Sequence, residues 1–130
     1  MDWSPYIGLP FADHGSSAEG VDCWGLVRHI LAAEKGWVLP SYGEGYDKAS
    51  NQPAVTECIK NGLAEGWDEV PEPVEYALVI FRMAGKPWHV GMVVGEDRFI
   101  HAPSGESSCV ERLSSPCWVN RISGFYVRRT

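Results

Sequence analysis

The chain from residue 76 onward constrains the fold most. It breaks into short runs rich in β-branched and aromatic residues, "YALVIFRM", "WHVGMVVG", "RFIHAP", "CVERL" and "SGFYVRR", separated by turn-forming residues. Such runs read as a mostly antiparallel meander. Upstream the apolar period is helical. Counting from Cys23, apolar residues recur at Leu26, Val27, Ile30 and Leu31, and a second pattern after Pro53 puts Val55, Cys58, Ile59 and Leu63 on one face. Helices first and strands afterwards give an α+β chain, with N-terminal helices packed on the sheet. "YALVIF" is nearly continuous in apolar residues and reads as a central strand, and the prolines of "PEPVE" hold an extended lead-in. Residues 1–20, rich in Gly, Pro and Ser, read as an irregular arm, and "LPSYGEGYDKASNQ" as the loop between the helices. No repeat, low-complexity tract or linker interrupts residues 1–130, which read as one domain long enough to bury a core.

A net charge of -6 with no Lys/Arg run argues against a nucleic-acid partner, which needs a basic face. No apolar run approaches the roughly 18 residues of a membrane span, so no membrane insertion is expected. The N-terminus "MDWSPYIGLPF" has no basic lead-in, and the expectation is synthesis in the cytoplasm without a signal peptide. Cys23, Cys58, Cys109 and Cys117 show no CxxC spacing and read as free thiols, with a Cys109–Cys117 bridge as the alternative in an extracellular setting. Cys58 reads as a core residue. The six tryptophans read as core or loop anchors, with an interface role as the alternative.

Cys23 has two open readings. In "EGVDCWGLVRHILAAEKG" it lies on the apolar face of the first helix, where a cysteine is by default a small hydrophobe. But Asp22 reads as an N-cap and Gly36 as a C-terminal stop, which puts Cys23 at the positive end of the helix dipole. Such a position favours thiolate.

The segment "WHVGMVVGEDRFIHAPSG" holds two histidines on one hairpin. Alternation places His89, Gly91, Val93 and Gly95 on one face and Val90, Met92 and Val94 on the other. A two-residue loop (Glu96, Asp97) pairs Gly95 with Arg98 and sends His89 and His101 to opposite faces. A three-residue loop pairs Gly91 with His101, and the histidines become diagonal neighbours about 7–8 Å apart. Gly91 then leaves room for an imidazole or a ligand; a bulge or tight packing is the alternative. A Cys/His pair oriented by a third polar group is the layout of thiol nucleophilic catalysis. Here His89 would take the thiol proton, His101 would fix the far nitrogen of His89, and the Cys23 N–H would donate to a developing oxyanion. Cys23, His89 and His101 are also legitimate zinc ligands, but no fourth is evident. His14 reads as a loop residue, and His29 is given no role.

These residues resemble the NlpC/P60 cysteine peptidases, papain-like hydrolases of bacterial cell walls. The resemblance rests on "GVDCWGLV", "HVGMVVG" and "FIHA", in that order, with the third polar residue about a dozen positions after His89. "YIGLPF", "LPSY" and "GFYVRR" are similar to a narrower group, the NlpC/P60 proteins of phage and prophage tail modules. The resemblance implies a papain-like α+β fold and hydrolysis of peptidoglycan stem peptides, usually between D-glutamate and diaminopimelate. It makes Cys23 the nucleophile, His89 the base and His101 the orienting residue, with no metal or organic cofactor. It further implies a cleft between the Cys23 helix and the sheet face carrying the histidines. Stem peptides and other tail proteins are the implied partners, and the virion tail an implied location.

The sequence departs from many cell-wall members in having Trp24 after the cysteine where they have Ser, and Phe11 in the arm where they have Tyr. Asp22, which in those members helps hold the stem-peptide amine, is retained; it either binds an amine or simply caps the helix. Phe11 and Trp24 together suggest an apolar substrate wall. The lead-in "EYALVIF" replaces a frequent Gly-Asp. The alternative functional reading is a tail assembly module that uses the fold for docking.

Overall fold

The computed structural model describes residues 2–40, 52–83 and 86–129, with backbone alone at 52–55, 83 and 86. The loop expected after Pro40, with the second half of "LPSY", lies outside the described residues, as do the side chains of Pro53 and Val55.

Helix α1 spans Cys23–Lys35 and helix α2 Gln52–Leu63. The start of α1 is fixed by Asp22, whose Oδ1 accepts the Gly25 N–H at 2.7 Å, a cap worth about 1 kcal/mol. Its end is fixed by Gly36, left-handed at φ 69, whose N–H returns to Ala32. Before α1, a small ribbon pairs β1 (Ser16–Ser17) with β2 (Gly20–Val21).

The remaining strands are β3 (Trp67–Val70), β4 (Leu78–Met83), β5 (Lys86–Gly95), β6 (Arg98–His101), β7 (Cys109–Arg112) and β8 (Ile122–Arg128). They form one antiparallel sheet in the order β3-β8-β4-β5-β6-β7. The expected meander is thus β4 to β7, and the final strand turns back to lie between β3 and β4. Strand β4 is central, as its continuous apolar run implies, because both faces are covered. On one face Leu78, Ile80, Val90, Met92 and Ile100 pack with Leu26, Val27, Ile30 and Leu31 of α1. Each such side chain contributes about 1.5–3 kcal/mol on burial. On the other face Val79, Phe81, Val93 and Phe99 pack with Leu113, Trp118 and Phe125. All four cysteines are free thiols; Cys58 is half-buried rather than a full core residue, and Cys117 is exposed.

The β5–β6 hairpin follows neither simple loop expectation. Its loop is the two residues Glu96 and Asp97, since Gly95 pairs with Arg98, yet Val93 pairs with Phe99 and Met92 with Ile100. The register shifts between Val93 and Gly95, leaving Val94 as an extra, bulged residue. That one residue restores the register a three-residue loop would have given, and His89 and His101 share a face. The space at Gly91 belongs to the protein: a Cβ there would lie 3.0 Å from the Phe99 ring and 3.3 Å from the Cβ of His101. Gly91 is therefore a close-packing position, and the expectation of ligand space at it is corrected.

Candidate active site

Cys23 is the first residue of α1 and is buried among the apolar residues between helix and sheet. His89 and His101 stand on the opposite face, against Phe81, Phe99 and Trp118. The cleft implied by the resemblance, between the helix and the histidine face, is consequently placed differently. Strand β6 ends at His101, so among the described residues the first half of β5 has a strand neighbour only in β4. The first turn of α1 sits at that open side, where the Val90 backbone favours the Cys23 thiolate against the larger effect of burial. Cys23 and His89 then line one cavity with Phe11, Trp88, Ala102, Pro103, Ser104, Glu106 and Trp118.

The two imidazoles are coupled directly. His89 Nε2 lies 2.7 Å from His101 Nδ1, and His101 Nε2 lies 2.5 Å from Glu111 Oε2. A carboxylate only accepts, which sets the direction of every proton in the row. His101 Nε2–H donates to Glu111, its bare Nδ1 accepts from His89 Nε2–H, and the lone pair of His89 falls on Nδ1. The geometry therefore prepares His89 Nδ1 as a base. Trp118 stacks on His89 (5.9 Å between centroids, 25°) and meets His101 edge-on (5.0 Å, 87°), keeping water from the pair.

Burial sets the electrostatics. It pushes the Cys23 thiol up to about 12, reinforced by the Asp22 charge and opposed by backbone hydrogen bonds from Val90, Trp24 and Cys23. Burial pulls His89 down to about 3, with the neighbouring His101 adding to the effect. His101 is lowered by burial too, though Glu111 pulls it the other way. At neutral pH the resting pair is thiol and neutral imidazole, and charge appears on the two together when the proton crosses.

This depression has a consequence for stability. His89 binds its proton near pH 6.5 when unfolded but only near 3 when folded, so its contribution to stability is present above pH 6.5 and is lost as pH falls toward 3. Chemical denaturation between pH 7 and 4 is expected to show stability falling with acid. The slope is shallower in His89→Phe, and an equal slope would contradict this account.

The other sequence candidates divide. Phe11 bridges to Val21 and lines the cavity, as the apolar wall requires. Trp24 does not join it. One residue past Cys23 on a helix points about 100° away, and Trp24 lines a separate apolar cavity with Cys58, Ile59, Leu63 and Trp67 while donating Nε1–H to Pro40 O at 2.8 Å. Asp22 is 1% exposed; Oδ1 caps Gly25 and Oδ2 accepts the His14 N–H at 2.9 Å, which is what a cap and arm anchor does. The carboxylate that lines the cavity is Glu106. Among the described residues the metal-competent group is His101, Cys109 and Glu111, not Cys23, His89 and His101. Glu111 and Trp118 were not singled out by sequence reasoning. Glu111 reaches His101 only through the β6–β7 register, in which His101 pairs with Cys109 and Phe99 with Glu111.

A buried thiol at a helix start, sharing a cavity with an imidazole that a second imidazole and a carboxylate orient, is the arrangement of a thiol-nucleophile site. Residues 8–127 match the NlpC/P60 family, and the chain belongs to that family. It is 26% identical over 122 residues to the murein DD-endopeptidase MepS/murein LD-carboxypeptidase of Escherichia coli K12, covering 94% of this chain and 55% of that protein. It is 31% identical over 120 residues to the gamma-DL-glutamyl hydrolase of Bacillus subtilis strain 168, covering 92% of this chain and 26% of that one. The chain thus spans only part of both relatives. Among solved structures, the NlpC/p60 domain of the peptidoglycan hydrolase SagA superposes with a TM-score of 0.62 at 24% identity, over 95% of this chain and 90% of that one. An NLP/P60 family protein of Staphylococcus aureus, similar to lipoprotein, superposes with a TM-score of 0.67 at 21% identity, over 96% of this chain and 38% of that one. Both likenesses are of fold.

Proposed function

We propose that the chain is a cysteine peptidase of peptidoglycan stem peptides, acting on the bond from D-glutamate to diaminopimelate. The observation that carries the reading is the directed row Glu111–His101–His89, which leaves a lone pair on His89 Nδ1 in the cavity it shares with Cys23. The names of the murein endopeptidase and the gamma-DL-glutamyl hydrolase support the substrate class. Cys23 Sγ attacks the scissile carbonyl as its proton passes to His89 Nδ1. N–H groups at the start of α1 stabilise the oxyanion. The C–N bond then breaks, the leaving amine takes the proton from His89, and water activated by the same nitrogen hydrolyses the thioester. Phe11 and Trp118 supply apolar walls, and Glu106 offers a negative charge to an amine of the stem peptide. Similarity of "YIGLPF" and "GFYVRR" to tail-module proteins supports placement in a phage or prophage tail, with tail proteins as further partners.

The test is digestion of purified peptidoglycan by the wild-type chain and by Cys23→Ala, with masses of the released peptides. Release by the wild type alone supports the reading and the masses name the bond; equal release by both overturns it. Glu111 acts as a positioning residue. Glu111→Gln loses one charge-assisted hydrogen bond, worth about 1.5–3 kcal/mol, and is expected to lower turnover about 10- to 100-fold. Glu111→Asp restores part of the loss because the carboxylate keeps the proton order; equal losses in both variants would show a merely structural role.

A further inference from the structure

Glu111 holds the proton row in order from outside the catalytic cavity, and its surroundings contain more than a carboxylate. His101 Nε2, Cys109 Sγ and Glu111 Oε2 all lie within 4.8 Å of one another. The thiol sits 4.0 Å from the carboxylate oxygen. One imidazole, one thiol and one carboxylate are zinc-type donors, and a tetrahedral ion with bonds of about 2.0–2.3 Å would draw three such atoms into its shell and leave one position for water. His101 is fully buried, while Cys109 and Glu111 are partly exposed, so an ion has a route in from their side. Glu111 must retreat from its 2.5 Å contact to admit the ion, and its side chain, 35% exposed, has room to do so. The outer partner that ligating histidines use is also in place, because His101 Nδ1 already meets His89.

We propose that His101, Cys109 and Glu111 form a site for a thiophilic divalent cation such as Zn²⁺, and that filling it switches His89 off as a base. The inference rests on the role given to His89 above. The ion displaces the Cys109 thiol proton to solvent and takes the lone pair of His101 Nε2. The proton formerly on that nitrogen can no longer stay there. His101 remains neutral by carrying a proton on Nδ1, which now donates to His89 Nε2. His89 in turn stays neutral with its proton on Nδ1, the nitrogen that had carried the lone pair. Counted over the pair, one proton has moved from His101 Nε2 to His89 Nδ1, and no charge has been added to either ring. The base is lost without any change in the cavity itself.

Calorimetric titration with Zn²⁺ tests this on Cys23→Ala, in which the nucleophile cannot bind the ion. One ion is expected per chain. Adding Cys109→Ser or Glu111→Gln to that background should each weaken binding at least about tenfold. Nitrogen-15 spectra of the histidine rings give a readout independent of those variants: His89 and His101 should both pass from Nε2–H to Nδ1–H when zinc is added. The proposal is overturned if Cys23→Ala shows no saturable binding, if both added substitutions leave affinity unchanged, or if zinc binds with the ring tautomers unaltered. None of these readouts requires hydrolysis. A chain that binds zinc as described but cleaves no peptidoglycan would remove the peptidase reading and leave the site standing.

Discussion

His89→Gln is expected to lower the rate of peptide release about 100- to 10,000-fold, the usual contribution of a general base. Glutamine keeps most of the volume under Trp118, and its amide can still donate to His101 Nδ1, so the pocket is filled and the row behind it persists. What it cannot do is accept the thiol proton. Because burial holds the Cys23 thiol up at about 12, little nucleophile exists unless a neighbour removes that proton as the bond forms. The loss should fall on kcat more than on KM, measured on a stem-peptide substrate with the melting temperature as a folding control. A loss below about tenfold, with folding intact, would remove His89 from the chemistry. The wild-type profile should be correspondingly broad in pH, since the reactive pair is neutral between the folded values of about 3 for His89 and about 12 for Cys23.

The largest effect on stability is expected at Gly25. A Cβ at this position would lie 1.6 Å from the carbonyl oxygen of Gly15 and 2.9 Å from Asp22 Oδ1. Both are fixed atoms. The Gly15 carbonyl accepts the Asp22 N–H at 3.2 Å, and Asp22 holds the arm through the His14 N–H. The arm cannot step back either, for Gly15 and Gly20 are themselves in close backbone contact. Gly25→Ala should therefore cost about 3 kcal/mol or more, the upper end of the range for overpacking. Urea denaturation would show it as a lower midpoint; a change under about 1 kcal/mol would mean that the arm yields easily. Phe11 belongs to this arm, so the same substitution should weaken substrate binding before the chain unfolds.

Helix α1 was legible because its signals are local: Asp22 caps it, Gly36 ends it and four apolar residues mark its buried face. The α+β order followed from the change of period at residue 76. The place of β8 between β3 and β4 was not legible, because pairing between distant strands leaves no mark within either one. At the site, Cys23, His89 and His101 were visible as residues, but their relation was conditional on a hairpin register that sequence left open. Val94 offers no sign that it is the bulged residue; Met92, Val93 and Val94 are all apolar. Trp24 was misplaced because adjacency to Cys23 in sequence suggested adjacency in space, whereas the helix turns it away. Glu111 escaped notice for a related reason: it sits ten residues beyond His101 and reaches it only across a strand pairing.

The bulge at Val94 imposes an arithmetic on descent. Strand side chains alternate, so whether the two imidazoles meet depends on how the residues between them divide among strand, bulge and loop. With the two-residue loop, the Val94 bulge keeps His101 on the face of His89; the same residues paired without the bulge would set His101 opposite Met92, on the helix side. A lineage that straightens the bulge while keeping every residue must therefore pass one of them to the loop, or the two imidazoles part.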